Sequence, residues 1–193
     1  MVDKDHAYLP QGTPEFTDYF KELRWAQAFA LANREEMMDR FLDQLARMMG
    51  DDPGSFTVEF INTHHNYTEN VKINGKNVWL TRKGAINAEA GVLGLIPGSM
   101  GTRSYVTRGL GNPSAFWSAP HGAGRAMSRT QARKRFTAAD LDARMEGIVY
   151  RPGDEWIDEI PDAYKPIDQV MEDAADLVKV VHELRQILNV KGT

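Results

Sequence analysis

The chain has 193 residues, 42% of them hydrophobic and 26% charged, with 16 Gly and 9 Pro, the make-up of one ordinary globular domain over 1–193 and not of a disordered, collagen-like or low-complexity chain. It has no Cys, which excludes a disulfide framework and a thiolate metal site, so any metal must rest on His, Asp, Glu or carbonyl oxygen. The net charge of −4 taken globally argues against a nucleic-acid binder; no apolar run is of membrane-spanning length and Met1-Val2-Asp3-Lys4-Asp5 is no signal sequence, so a cytoplasmic protein without a membrane partner is expected.

Thr13-Pro14-Glu15 reads as an N-cap with proline at the first helical position. The apolar residues that follow, Phe16, Tyr19, Phe20, Leu23, Ala26, Phe29, Ala30, Met37, Phe41, Leu45 and Met48, recur in steps of three and four until Gly50 and Asp51-Asp52-Pro53-Gly54. That spacing predicts one long helix whose Met and aromatic stripe is core. The period then changes to two. A strand is expected at 56–61, and a hairpin joins Val71-Lys72-Ile73 to Asn77-Val78-Trp79-Leu80-Thr81 through Asn74-Gly75, whose residues accept positive φ. Two buried strands are expected at 91–96 and 105–110, a loop over 112–125, a helix at about 130–145, a strand at 148–150 and a helix at about 167–172. The tail from 177 to 190 fits helix or strand. Without regular alternation of helices and strands, the fold class is α+β.

The charge is unevenly placed. Between Glu89 and Asp140 there is no acid, yet Arg103, Arg108, Arg125, Arg129, Arg133, Lys134 and Arg135 fall there, and the acids gather after Asp140. Such a segment is either a phosphate-facing surface or a basic face balanced by acidic neighbours. Three constellations suit chemistry. Thr63-His64-His65-Asn66 follows a predicted strand and offers an imidazole to a metal, unless the pair is only hydrogen-bonded or exposed. Ile96-Pro97-Gly98-Ser99-Met100-Gly101-Thr102-Arg103-Ser104-Tyr105 resembles a nucleotide cradle in composition but lacks the P-loop ending, and a tight structural turn is the ordinarily preferred reading. In Ser118-Ala119-Pro120-His121-Gly122-Ala123-Gly124-Arg125 with Ser128-Arg129, a His on a glycine-rich loop beside arginines suits nucleophilic attack at phosphorus, with guanidinium neutralising charge.

Together these residues resemble the RtcB family of RNA-splicing ligases. The resemblance rests on Arg82-Lys83-Gly84-Ala85, on Pro97-Gly98-Ser99-Met100-Gly101 with Ser104-Tyr105, and on His121-Gly122-Ala123-Gly124-Arg125 with Ser128-Arg129. It extends to Gly12-Thr13-Pro14-Glu15, Trp25-Ala26, Ala32-Asn33-Arg34, His65-Asn66, Ala163-Tyr164-Lys165 and Val190-Lys191-Gly192. The resemblance implies the C-terminal portion of an RtcB-like fold and a ligase dependent on GTP and manganese (Mn2+). Such an enzyme joins RNA ends carrying a 3′-phosphate or 2′,3′-cyclic phosphate to a 5′-hydroxyl, in tRNA splicing or RNA repair. By position, His121 matches the nucleophile that carries GMP and His65 a manganese ligand. Ser99, Ser104, Tyr164 and Lys191 match guanylate contacts, with Ala123 and Gly124 beside the covalent phosphate, and Arg125 fits phosphate neutralisation.

The family's N-terminal part carries a metal-binding Cys, an Asp, a Gly-Asn-His-Phe segment and a His-Ser/Thr-Gly-Ser-Arg segment, and none of these is in this sequence. The expectation is therefore a part of a ligase that acts when complemented by an N-terminal half. The alternative is a noncatalytic remnant that binds guanine nucleotide or RNA.

Overall fold

The computed structural model describes residues 8–190, which form two compact units with their boundary between Leu80 and Thr81. The predicted α+β class holds, with a long N-terminal helix, antiparallel strands and short helices.

In the first unit, helix α1 runs Pro14–Met49; the Thr13 side chain accepts the Phe16 N–H, and Gly50, at φ 72°, returns its own N–H to the Ala46 carbonyl. These caps satisfy backbone groups that a helix end otherwise leaves open. A single turn, α2, follows at Pro53–Phe56 behind the Asp52 cap. Strands β1, Asn66–Ile73, and β2, Lys76–Lys83, form the expected hairpin, with Asn74 and Gly75 at φ 50° and 77°. The Trp79 ring lies 4.1 Å from that of Phe20 and 6.1 Å from that of Phe16. Gln27 lends β1 a strand-like partner, its amide accepting from the Thr68 N–H at 2.6 Å and donating to the Thr68 carbonyl at 3.3 Å.

Two expectations fail in this unit. The strand at 56–61 is absent, because an alternating pattern makes a strand only where a neighbour completes its hydrogen bonds; beyond α2 the segment is irregular and Val58 is 98% exposed. The α1 stripe is not core either. Only Ala46 of the helix is buried, while Tyr19, Trp25, Phe29, Met37, Phe41 and Met48 remain exposed, Trp25 at 66%. Length explains it: 36 residues of helix extend about 54 Å, whereas an eight-residue strand covers about 26 Å.

The second unit is held by long-range pairing. β3, Ala85–Asn87, pairs with β6, Ser118–Pro120. β4, Leu93–Pro97, and β7, Val178–Leu184, both pair antiparallel with β5, Ser104–Gly109. Thus the tail resolves as strand, and 112–125, expected as loop, contains β6; three residues are too short to show a period. The helix expected over 130–145 is two, α3 at Arg129–Arg135 and α4 at Ala138–Arg144, because Ser128 with Gln131 and Thr137 with Asp140 each close a capping box. At 148–150 there is only one bridge, Val149 with Leu188. Helix α5 spans Ile167–Asp173 as expected. One core gathers Ile86, Ile96, Tyr105, Ala119, Ala123, Ile167 and Val178; a second gathers Met100, Ala132, Leu141, Met145, Ile160 and Ala163, and Tyr164 packs against both. Among the described residues, no helix is long and apolar enough to cross a membrane.

Candidate active site

His121 follows β6 directly. Its N–H donates to the Gly84 carbonyl at 3.3 Å, and the ring lies against the Gly84 Cα, where an added Cβ would stand 3.3 Å from Cδ2 and 3.4 Å from Nε2. The loop beyond it is tied at successive residues. Ala123 N–H donates to the Pro97 carbonyl at 3.0 Å, Lys165 N–H to the Gly124 carbonyl at 2.9 Å, and Ala126 N–H to the Ala163 carbonyl at 2.8 Å. A side chain at residue 122 would meet the Pro97 carbonyl, whereas Gly124, at φ 70°, faces open space. Glycine thus serves close packing at one position and backbone freedom at the other.

Pro97 links this loop to the β4–β5 corner, since it also pairs with Ser104 across the sheet. Ser99 is buried; its N–H donates to the Thr102 hydroxyl at 2.6 Å, and the two hydroxyls lie 3.0 Å apart. At Gly98 an added Cβ would collide with the Arg103 carbonyl and Thr102, and at Gly101 with Pro161 and the Arg144 carbonyl. Gly98 is thus needed by the turn itself, and Gly101 by the close packing of Arg144 and Pro161 against the turn.

Arg125 is engaged by the protein. Its Nε donates to the Met127 carbonyl at 3.0 Å, Nη2 to the Asp158 carbonyl at 2.6 Å and Nη1 to the Tyr164 hydroxyl at 3.2 Å, with the guanidinium 5.0 Å from the Tyr164 ring centre. Tyr164 in turn donates to Glu159 at 2.6 Å. Burial first, and then the Glu159 hydrogen bond, push the Tyr164 phenol above its ordinary value. Arg129 and Arg133 each reach the buried Asp158 carboxylate at 2.6 Å, and Arg129 also pairs with Glu159. Arg103 pairs with Asp168 and Glu183. Arg125 also lies 3.8 Å from the Glu159 carboxylate, so among the described residues at least four of the seven cations between Glu89 and Asp140 have carboxylate partners from the acid-rich stretch after Asp140, which is the balanced-face arrangement. Sequence reasoning missed Asp158 and Glu159, although an acidic 154–159 run downstream of an acid-free basic segment was a signal for them.

The structure brings His121, Ala123, Gly124, Arg125 and Tyr164 into one loop cluster, with Ser99 and Ser104 on the adjoining corner. Lys191 lies outside the described residues. His65 belongs to the first unit, where it is exposed just before β1. Its neighbour His64 is the half-buried one, with Nδ1 3.4 Å from Arg34, and burial, then Arg34, then His65 lower its pKa. Arg34 also donates to Asn62 at 2.7 Å, so the arginine of Ala32-Asn33-Arg34 fastens α1 to the segment before the hairpin. Among the described residues no three His, Asp or Glu side chains gather to hold a metal ion. A single imidazole does not make a stable site for a divalent cation, so the described residues do not by themselves fit manganese.

Comparison with known proteins bears on this loop cluster. The family profile for the tRNA-splicing ligase RtcB matches residues 1–192. The chain is 46% identical over 195 residues to the RNA-splicing ligase RtcB of Escherichia coli K12, an alignment that takes in 100% of this chain and 48% of that protein. It is 31% identical over 215 residues to the tRNA-splicing ligase RtcB of Aeropyrum pernix, covering 98% of the chain and 45% of the relative. With the RNA-splicing ligase RtcB of Mycobacterium tuberculosis the identity is 32% over 216 residues, covering 100% and 49%. The chain spans about half the length of the curated relatives it matches.

Proposed function

The chain belongs to the RtcB family, and on that premise we propose that it is the nucleophile-bearing part of a GTP- and manganese-dependent RNA ligase working in the cytoplasm. The observation that carries this reading is His121 at the head of a loop held by backbone hydrogen bonds to Gly84, Pro97, Ala163 and Lys165. A nucleophile gains most when its geometry is set before the reaction. In the proposed step an imidazole nitrogen attacks the α-phosphorus of GTP, a P–N bond forms and pyrophosphate leaves. The GMP passes to an RNA 3′-phosphate, and a 5′-hydroxyl displaces it as the phosphodiester forms.

Ser99, Ser104, Ala123, Gly124, Tyr164 and Lys191 are the proposed guanylate contacts. Arg125, with its donors given to Met127, Asp158 and Tyr164, acts by holding the loop that phosphate approaches. His65 contributes one ligand to a manganese site whose other ligands come from a complementary N-terminal half, since the described residues assemble no three-donor group. The exposed apolar side of α1 supports such a partner, because an uncovered aromatic and Met stripe of this length is unusual on a protein that acts alone.

The test is incubation with α-labelled GTP and manganese, for this chain alone and for the chain mixed with the N-terminal half of a family member. Covalent label on this chain only after mixing, lost in His121→Ala, is the expected result. Label that persists in His121→Ala overturns the nucleophile, and efficient labelling of the chain alone overturns the need for a partner. The missing three-donor group also favours a second reading, a noncatalytic guanine-nucleotide or RNA-binding remnant; guanine nucleotide or RNA bound at equilibrium, with no label under either condition, would establish it.

A further inference from the structure

Arg82-Lys83-Gly84-Ala85 is a motif of this sequence with no assigned task. β2 ends at Lys83, Gly84 turns the chain at φ 70° and β3 begins at Ala85. Because β3 pairs with β6 in the register Ala85 to Pro120, the residue before one strand meets the residue after the other, and Gly84 comes beside His121. Both halves of the histidine then rest on this glycine. The backbone N–H donates to its carbonyl at 3.3 Å, and the Cδ2–Nε2 side of the ring lies 3.3–3.4 Å from where a Gly84 Cβ would stand.

The other end of β6 is held from the same motif. Arg82 is 2% exposed and donates to the Ser118 hydroxyl at 2.8 Å and to the carbonyls of Phe116 at 3.2 Å and Trp117 at 3.4 Å. Phe116 and Trp117 sit at φ 50° and 51°, a left-handed corner that bulky residues adopt only when their surroundings impose it. The strand that delivers His121 is therefore fastened at its start by Arg82 and at its end by Gly84.

We propose that Gly84 is a positioning residue for His121, its bare Cα forming the seat that sets where the imidazole lies. A methyl group there would stand 3.3–3.4 Å from two ring atoms, inside the separation at which carbon contacts are most favourable, so the ring must move by a few tenths of an ångström. The inference takes His121 as the nucleophile of the proposed function, but ring placement is measurable without GTP, metal or a partner.

The experiment is carbethoxylation of the intact chain by diethyl pyrocarbonate, with the rate at His121 read by peptide mass spectrometry across pH and the exposed His182 as internal reference. In Gly84→Ala the pH-independent rate at His121 should change by about twofold or more, in either direction, relative to His182, because a ring displaced by the added methyl presents its nitrogens differently to the reagent. Gly84→Asn, whose side chain tolerates positive φ, should do the same if the alanine variant folds poorly. Gly147→Ala is the matched control, because Gly147 has φ 80° with nothing within 4 Å; it should leave the His121 rate unchanged. Unaltered His121 reactivity in a folded Gly84 variant, or an equal change in Gly147→Ala, overturns the proposal. If His121 reactivity responds to Gly84 while the mixed halves never take up GMP, the seat stands and the nucleophile assignment falls.

Discussion

The two units differ in what holds them. α1 forms because its own sequence supplies the cap, the proline and the terminal glycine, yet most of its large apolar side chains face outward. Among its described residues the unit from Thr81 onward has no long helix; the elements that begin in it are three to seven residues long, and none of that length is stable alone. It nevertheless buries two clusters around Ile96, Leu141 and Ile160. Strong local signals therefore do not measure how much core an element contributes, and weak ones do not imply a loose structure.

The largest expected effect separates the units directly. Ile160→Ala empties a site of 0% exposure and should cost about 2–5 kcal/mol. Phe41→Ala, at a residue 57% exposed, should change stability by no more than about 0.5 kcal/mol. Urea unfolding of both variants checks this, and equal losses would erase the contrast. Next in size is the double variant Arg129→Ala/Arg133→Ala, which leaves the buried Asp158 carboxylate without the two cations that reach it. A loss of about 2–4 kcal/mol is expected, the cost of breaking a buried pair reduced because both guanidinium groups are more than half exposed. A shift near zero in the thermal or urea midpoint would make the basic segment a solvated face and return it to the phosphate-facing reading.

The smallest effect is a titration. Tyr105, Tyr150 and Tyr164 of the second unit all have phenols raised above their ordinary value, each chiefly by burial, and Tyr150 is pushed up to about 12 with help from its hydrogen bond to Asp142. A raised phenol stays protonated in the folded state while the unfolded chain ionises. Its stabilisation is therefore present below about pH 10 and is lost as pH rises from there through the folded value. Alkaline absorbance titration should show three phenols lagging behind their titration in denaturant, and Tyr150→Phe should remove the last of them. Three phenols ionising together at their ordinary value would show that the second unit is looser than its packing implies.

Much of the site was legible in the residues before any fold was known. His121, Gly124 and Arg125 stand in one short motif, and their types alone suit chemistry at phosphorus. The use of Arg125 was not legible, because its acceptors, the Met127 and Asp158 carbonyls and the Tyr164 hydroxyl, include groups 33 and 39 residues away. Nor was the role of Gly84: positive φ at a strand end is readable from glycine, but the imidazole that packs close to its Cα arrives through the pairing of β3 with β6.

By itself the sequence determined what depends on neighbours along the chain: both ends of α1, the Asn74-Gly75 hairpin, the strands expected at 91–96 and 105–110 and found within one or two residues of those bounds, the α+β class and the motif that carries His121. Caps, turns and periodicities act over a few residues, so their physics is written locally. Tertiary structure alone decided that 56–61 is not a strand, that β3 and β6 exist, that the α1 stripe is uncovered, and that Asp158 and Glu159 take up the cations of the basic segment. Each of these depends on whether a partner lies across space, and hydrogen bonds, burial and ion pairs form only where the fold brings that partner within reach.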